Sequence, residues 1–287
     1  MFHAVTDRPA PPMGEHDPIA RAMLEESLSG IGLAAAGANV IMQLSMLPVG
    51  HGVAASRVDS GRVDEHPIKR ARTTLAYLAV ALLGSEDERA AMRSEVDRQH
   101  RQVRSRPGDP VRYSAFDTDL QLWVAACLYQ GTQDIERVAG IHRTEEEAER
   151  IYRYCARLGT TLQVRPEQWP ADRTAFAQWW DDKVDQIEMD DLTRTYLQGI
   201  AKADFIGRPW STLLGSLAEL QAVGFLPERF RAELGLPWNH RHQRAFDAMM
   251  QTWAAVDRHL PGPVRRLPFN AYLWDTRRRI RRGEPIV

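Results

Sequence analysis

The chain has 287 residues, 44% of them hydrophobic and 26% charged, and its 37 basic and 38 acidic side chains leave a net charge of −1. This is globular composition, enough for one large domain or two small ones, and it predicts a packed core rather than wholesale disorder. The balanced charge provides no global attraction to nucleic acid or to an anionic membrane, so no nucleic-acid partner is expected. Cys127 and Cys155 sit among apolar neighbours. They read as buried thiols in a reducing, cytoplasmic setting rather than as a disulfide scaffold.

The opening MFHAVTDRPAPPMGEHD lacks a basic stretch followed by an apolar core, so residues 1–16 are read as a flexible Pro-rich tail and 17–287 as a single domain. Asp17 is a plausible N-cap for a helix over 17–29 that stops at Gly30. A second apolar segment covers 31–47 and stops before Pro48. The stretch from Leu28 to Val49 is the most apolar in the chain, but it holds three glycines, Asn39 and Gln43. It is read as a buried helix rich in small residues, not as a membrane span. The Gly- and Ser-rich segment 50–64 is expected to be a loop.

A helix over 67–84 starts at Pro67, a residue suited to a first turn, and stops at Gly84. Ser85 and Glu88 form a capping-box pattern for the next helix, over 85–104. The turn cluster RPGDP follows, then an apolar helix capped by Asp117. Thr144 caps another, with Glu145, Glu146 and Glu147 in its first turn. Further helices fit 171–188, 189–202, 210–223, 227–234, 239–259 and 263–282. No alternating strand pattern exceeds four residues, so the expected fold is all-α, a single multi-helix domain. Trp169, Trp179, Trp180, Trp210, Trp238, Trp253 and Trp274 are expected to anchor its core.

On the helix SEDERAAMRSEVDRQHRQVR, Met92, Val96 and Val103 form the apolar stripe, and His100 falls on it. His100 therefore points toward the core. A core histidine bonded to a backbone carbonyl accounts for that, and so does an imidazole ligating a metal such as haem iron. On PIKRARTTLAYLAVALLG, Ile68, Leu75, Ala79, Leu82 and Leu83 share one face, while Arg70, Thr73, Thr74 and Tyr77 share the other. The second face is either a solvated surface or the lining of a polar pocket. Two β-branched threonines and a tyrosine suit an exposed helix surface poorly. Arg70 suits a carboxylate of a cofactor or a polar distal site, and Thr73 and Thr74 supply hydroxyl donors. Covalent haem attachment is excluded because no C-x-x-C-H run exists.

Five motifs in order carry a resemblance: IMQLSMLPVGHGVAA, RARTTLAYL, VDRQHRQVRS, YSAFDTDLQLWVAACL and LGLPW. Together they resemble the family that contains latex clearing protein, the rubber oxygenase, and the MpaB-type oxygenases. The likeness covers about residues 28–280 and is most specific from Pro48 to Leu128. It implies an all-α, globin-related core, a non-covalent haem b, and dioxygen-dependent cleavage of carbon–carbon double bonds. It further implies that His100 is the proximal iron ligand and that the family's Arg-x-x-x-Thr pair is Arg70 and Thr74; Tyr77, on the same helix face by spacing, is read as a further cofactor contact.

The chain departs from the family at three places. Thr73 stands where a basic residue is usual, the lysine that caps the iron in the rubber oxygenase. The loop glutamate proposed as its base falls near Ala54 or Ala55, and Ala125 replaces the histidine of Trp-Val-His-Ala. With the distal cap lost, the sixth iron position is expected to be open or water-bound, with His51 as a candidate distal base.

The expected function is thus a haem-dependent oxygenase or peroxygenase. It would act on a small-to-medium apolar, unsaturated substrate with dioxygen or peroxide; a homodimer is compatible with this. One alternative is a non-enzymatic protein that carries or senses haem or an apolar ligand. Another is a haem-free interaction module working through the basic C-terminal RRRIRRGEP. The pair His240 and His242 lacks carboxylate or cysteine partners and reads as exposed imidazoles at a helix start.

Overall fold

The computed structural model describes residues 12–55 and 65–286. Helices dominate, and the one β feature among these residues is an isolated bridge between Arg104 and Ser114. The expected capping residues act as such. Asp17 accepts from the amides of Ile19 and Ala20 at the start of α1 (Pro18–Ser27), and its carboxylate meets buried Arg150 at 2.6 Å. Ser85–Glu88 and Thr144–Glu147 close full capping boxes on α5 (Glu86–His100) and α7 (Glu145–Cys155). Of the expected tail, residues 12–16 lie within the described part, where the Gly14 amide donates to the Arg153 carbonyl at 2.9 Å; the rest of the tail lies outside the described residues.

Three expectations change around residues 30–55. The segment read as one helix over 31–47 begins as a 3-10 turn, Gly30–Ala35, before α2 (Ala36–Ser45). Pro48 does not end a helix but opens one, α3 (Leu47–Ala54), so the expected loop is helical up to Ala54. Proline fixes the φ that a first turn needs, and the chain breaks at extended Met46 just before it. Gly50 and Gly52 weaken α3 intrinsically, yet Gly50 is needed there. A Cβ on it would come 2.5 Å from the Leu44 carbonyl and 2.9 Å from Thr193 Cγ2. The rest of the expected loop, 56–64, lies outside the described residues.

The core is built round α2 and α6 (Thr118–Ala139). Ala38, Ile41 and Met42 of α2 and Trp123, Ala125 and Cys127 of α6 are fully buried. Two hydrogen bonds pin the pair: Asn39 Nδ2 donates to the Cys127 carbonyl at 2.6 Å, and Trp123 Nε1 to the Gln43 carbonyl at 3.1 Å. Trp123 stacks on Trp180 with centroids 5.1 Å apart, and Tyr129, Tyr152, Trp169 and Phe176 extend this aromatic core. Trp169 and Trp180 are the anchors expected, and Trp179 and Trp238 pack partly against the core. Trp210, Trp253 and Trp274 are exposed, against expectation, because each lies on the outward face of its helix. Among the described residues no single helix is long and apolar enough to cross a membrane; α1 and the 30–45 segment pass that test only as a pair bent by 74°.

The remaining elements are α4 (Pro67–Leu83), α8 (Arg157–Thr160), α9 (Arg173–Asp185), α10 (Asp191–Ala201), α11 (Trp210–Phe225), α12 (Glu228–Glu233), α13 (His240–His259), α14 (Gly262–Arg265) and α15 (Leu267–Arg282). Gly224 of α11 faces the fully buried ring of Phe246 on α13, and a Cβ there would overlap the ring. Gly224→Ala is therefore expected to destabilise by about 1–3 kcal/mol through overpacking. The urea midpoint checks this; an unchanged midpoint would mean that the two helices separate freely.

The basic C-terminal run is the last turns of α15, which packs along α4. Arg277 pairs with Glu88 at 2.7 Å, Arg278 and Arg279 with Asp275 at 2.9 and 2.8 Å. These guanidiniums are taken up inside the molecule, which removes much of the basis for a free interaction tail.

Candidate functional site

Helix α4 positions most of the site. Its C-terminal half is buried almost all round, from Ala76 to Leu83, whereas its first turns are not; Ile68, expected in the core, is 84% exposed. On the face bearing Arg70, Thr73, Thr74 and Tyr77, Tyr77 is buried and the other three are partly buried. This face lines a cavity of about 280 Å³ whose other walls come from α2, α3, α5 and α6. That volume is near the lower end of small-molecule sites, roughly 300–1,000 Å³. The wall is mainly apolar, with Val96, Val103, Val124, Leu128 and Leu162 among its members.

His100 completes the constellation. Helix α5 ends on it, four residues earlier than expected, and the chain turns back on itself. Ser105 donates to the Tyr113 carbonyl and Ala115 to the Val103 carbonyl, both at 2.9 Å, around a left-handed Gly108. This excursion folds Tyr113, Ser114 and Ala115 over the cavity beside His100. The ring packs edge-on to Phe116, centroids 6.3 Å apart. The ring has a hydrogen bond to the Ala115 backbone, as a core histidine would, while its Nδ1 is buried without a partner. Burial holds the ring's pKa below its usual value; Asp97 opposes this and Arg70 reinforces it. The neutral imidazole is the form that binds metals.

Arg70 contributes the second orphan, for its Nε is buried and unpartnered as well. Burial depresses its pKa too, although a guanidinium stays charged at any ordinary pH. The hydroxyls differ in availability. Thr73 Oγ1 donates back to the Lys69 carbonyl at 3.0 Å, and the Tyr77 hydroxyl is committed to the Leu158 carbonyl. Thr74 is the hydroxyl left to face the cavity.

His51 does not join them. It is only 4% exposed, but its Nε2 sits 2.6 Å from Asp190 Oδ2, clamping α3 to the cap of α10. Its neighbours Val49, Gly52 and Val53 line the cavity and it does not, so the distal-base reading is corrected. Because Asp190 is 41% exposed, His51→Gln is expected to cost only about 1 kcal/mol. Any ligand spectrum of the cavity should remain as it was; a shifted spectrum would put His51 back in the site. Ala125 is wholly buried in α6, away from the cavity wall. His240 is exposed as expected, whereas His242 packs on Trp238 at 5.4 Å.

The sequence reading missed Lys69, which lines the cavity one turn before Thr73, and the amides Gln43, Gln99 and Gln121. Helical spacing from Thr73 points to Lys69; nothing local points to the amides.

The donor set bears on what the cavity can hold. Among the described residues no cluster of three or more His, Cys, Asp or Glu side chains could hold a metal ion. A metal bound through His100 alone must bring its remaining ligands with it, as iron in a porphyrin does. A mainly apolar cavity with one imidazole whose Nδ1 is unpartnered and two cations, Lys69 and Arg70, for peripheral carboxylates fits such a group.

The structure is thus a helical domain with a mainly apolar, histidine-bearing cavity. The chain belongs to the family described as ER-bound oxygenase mpaB/B'/rubber oxygenase, catalytic domain, which matches residues 26–255. It is also similar, at 44% identity over 250 residues, to uncharacterized protein Mb2261 of Mycobacterium bovis and uncharacterized protein Rv2237 of Mycobacterium tuberculosis. Each match covers 87% of this chain and 98% of the relative. No solved structure matches it significantly. The chain is therefore an oxygenase-family catalytic domain, and an enzyme of oxidoreductase type.

Proposed function

We propose that the cavity holds a haem b, with His100 as the iron's protein ligand, and that the chain is a haem-dependent oxygenase or peroxygenase acting on a small-to-medium apolar substrate. The observation that carries this reading is the buried, unpartnered Nδ1 of His100 in the wall of a mainly apolar cavity. A buried polar atom without a partner costs about 1–3 kcal/mol, and a ligand that engages the ring removes that cost.

Bound haem would supply the activation of dioxygen or peroxide. The protein's own residues then bind, orient and shield. His100 holds the group from α5, and Arg70 and Lys69 face its carboxylates or the substrate's polar end. Thr74 presents a hydroxyl to the cavity, and Val96, Val103, Val124 and Leu128 exclude water. Tyr77 acts through its hydrogen bond to Leu158, which fixes the rotation of α4 and so the aim of Arg70 and Thr74.

The test is the visible spectrum of the purified protein, as isolated and with added hemin. A saturable Soret band at one haem per chain, with consumption of dioxygen or peroxide in the presence of an unsaturated apolar molecule, is the expected result. Failure to take up hemin would end the haem reading. Uptake without turnover would leave a haem carrier in its place.

A further inference from the structure

The first turn of α4 borders the cavity. It has no acidic residue, and its N-cap, His66, makes no side-chain cap bond. The amides there carry the positive end of the helix dipole, where anions are favoured and cations are not. The sequence nevertheless places Lys69 and Arg70 there, both on the cavity wall. Of the 38 acidic residues in the chain, none among those described lines this cavity. Lys69 and Arg70 thus bring two positive charges to the cavity, and among the described residues of its wall there is no counter-charge. Arg70 adds an independent sign: its guanidinium is deeply buried and its Nε bonds nothing. Lys69 is exposed at the rim, so its ammonium can reach a headgroup that stays near water.

We propose that the first turn of α4, with Lys69 and Arg70, is a carboxylate-binding site at the mouth of the cavity, and that the molecule it takes is an amphiphile: an apolar body lying against Val49, Val53 and Leu44, ending in a carboxylate. Arg70 offers the planar fork that matches a carboxylate, and the helix amides favour the same charge. Two molecules share this chemistry, a fatty-acid-like substrate and the propionates of haem. The proposal rests on the cavity being the chain's ligand site. Its first probe contains no iron, so refusal of hemin would defeat the haem reading while leaving the carboxylate site open to test.

The experiment titrates the purified full-length chain with hexadecenoic acid and with its methyl ester by calorimetry. In parallel, hemin and hemin dimethyl ester are titrated by absorbance. Loss of one charged contact corresponds to about tenfold in affinity. The acid is expected to bind about tenfold or more tighter than the ester, with Lys69→Gln and Arg70→Gln each removing most of that preference. Lys69 is exposed, so its variant tests the idea even if the Arg70 variant folds poorly. If only hemin discriminates against its ester, and Lys69→Gln abolishes the difference, the site stands with the cofactor as its source. If neither pair discriminates, or if both preferences survive in Lys69→Gln, the proposal is overturned.

Discussion

His100→Ala is expected to abolish the Soret band of added hemin, lowering affinity by more than the roughly 10–100-fold typical of losing a residue that merely supports a metal ligand. The fold should survive. His100 ends its helix, its ring packs on the edge of Phe116, and its Nδ1 bonds nothing, so truncation gives up the bond to the Ala115 backbone in the loop over the cavity and no helix contact. Far-UV dichroism should match the unaltered chain, and free imidazole should restore part of the band by entering the vacated space. An identical spectrum in the variant would show that the iron, if bound, is held elsewhere.

The same ring makes the ligand-free chain sensitive to acid. Burial, the largest cause, holds the His100 pKa below its ordinary value of about 6.5 despite Asp97. The unfolded chain therefore takes up the proton first, and stability falls as pH drops from about 6.5 through the lower folded value. Above that window both states are neutral and the contribution vanishes. Melting temperatures between neutral and mildly acidic pH should fall more steeply for the unaltered apo chain than for His100→Ala. Parallel curves would mean that the ring is solvated.

Arg157→Ala is expected to be the most damaging single change to stability. This side chain is 0% exposed at the start of α8. Its Nε donates to the Ala81 carbonyl at 2.9 Å and its Nη2 to the Gly84 carbonyl at 2.7 Å, satisfying the C-terminus of α4. Its Nη1 reaches Glu86 Oε1 at 2.9 Å, at the start of α5, and the guanidinium lies 5.1 Å from the Tyr154 ring centroid. One residue thus joins the two helices that carry Arg70 and His100. Removing it strands buried carbonyls and breaks a charge pair that is buried only on the Arg157 side, a loss on the order of 3–5 kcal/mol. Because Glu86 is 65% exposed, the ion pair itself supplies the smaller part. A fall in Tm of roughly 10 °C is expected for a domain of this size. Arg157→Lys should recover little of it, since an ammonium lacks the fork that spans both carbonyls. A Tm lowered by only a degree or two would show that water replaces the guanidinium at no cost.

Helix starts were legible because their causes are local. Asp17, Ser85, Asp117 and Thr144 cap amides two or three residues away, and each does so as read. The periodicity that put His100 on the Met92–Val96 stripe and grouped Arg70, Thr73, Thr74 and Tyr77 is equally local, and the five share one cavity. Burial was less legible. Ile68 and Trp274 are exposed and Arg157 is fully buried, although side-chain type argues the reverse in each case. What covers a residue depends on which helix lies over it.

By itself, then, the sequence determined where most helices begin, which residues share a face of α4 or α5, and, through five ordered motifs, the family. Tertiary structure alone decided that Pro48 opens a helix, that His51 belongs to Asp190 rather than to the cavity, and that Arg157 joins α4 to α5. The physical reason is range. Capping and helical periodicity act over a few residues, whereas the His51–Asp190 and Arg157–Ala81 contacts span 139 and 76 positions of chain and exist only once the helices have packed.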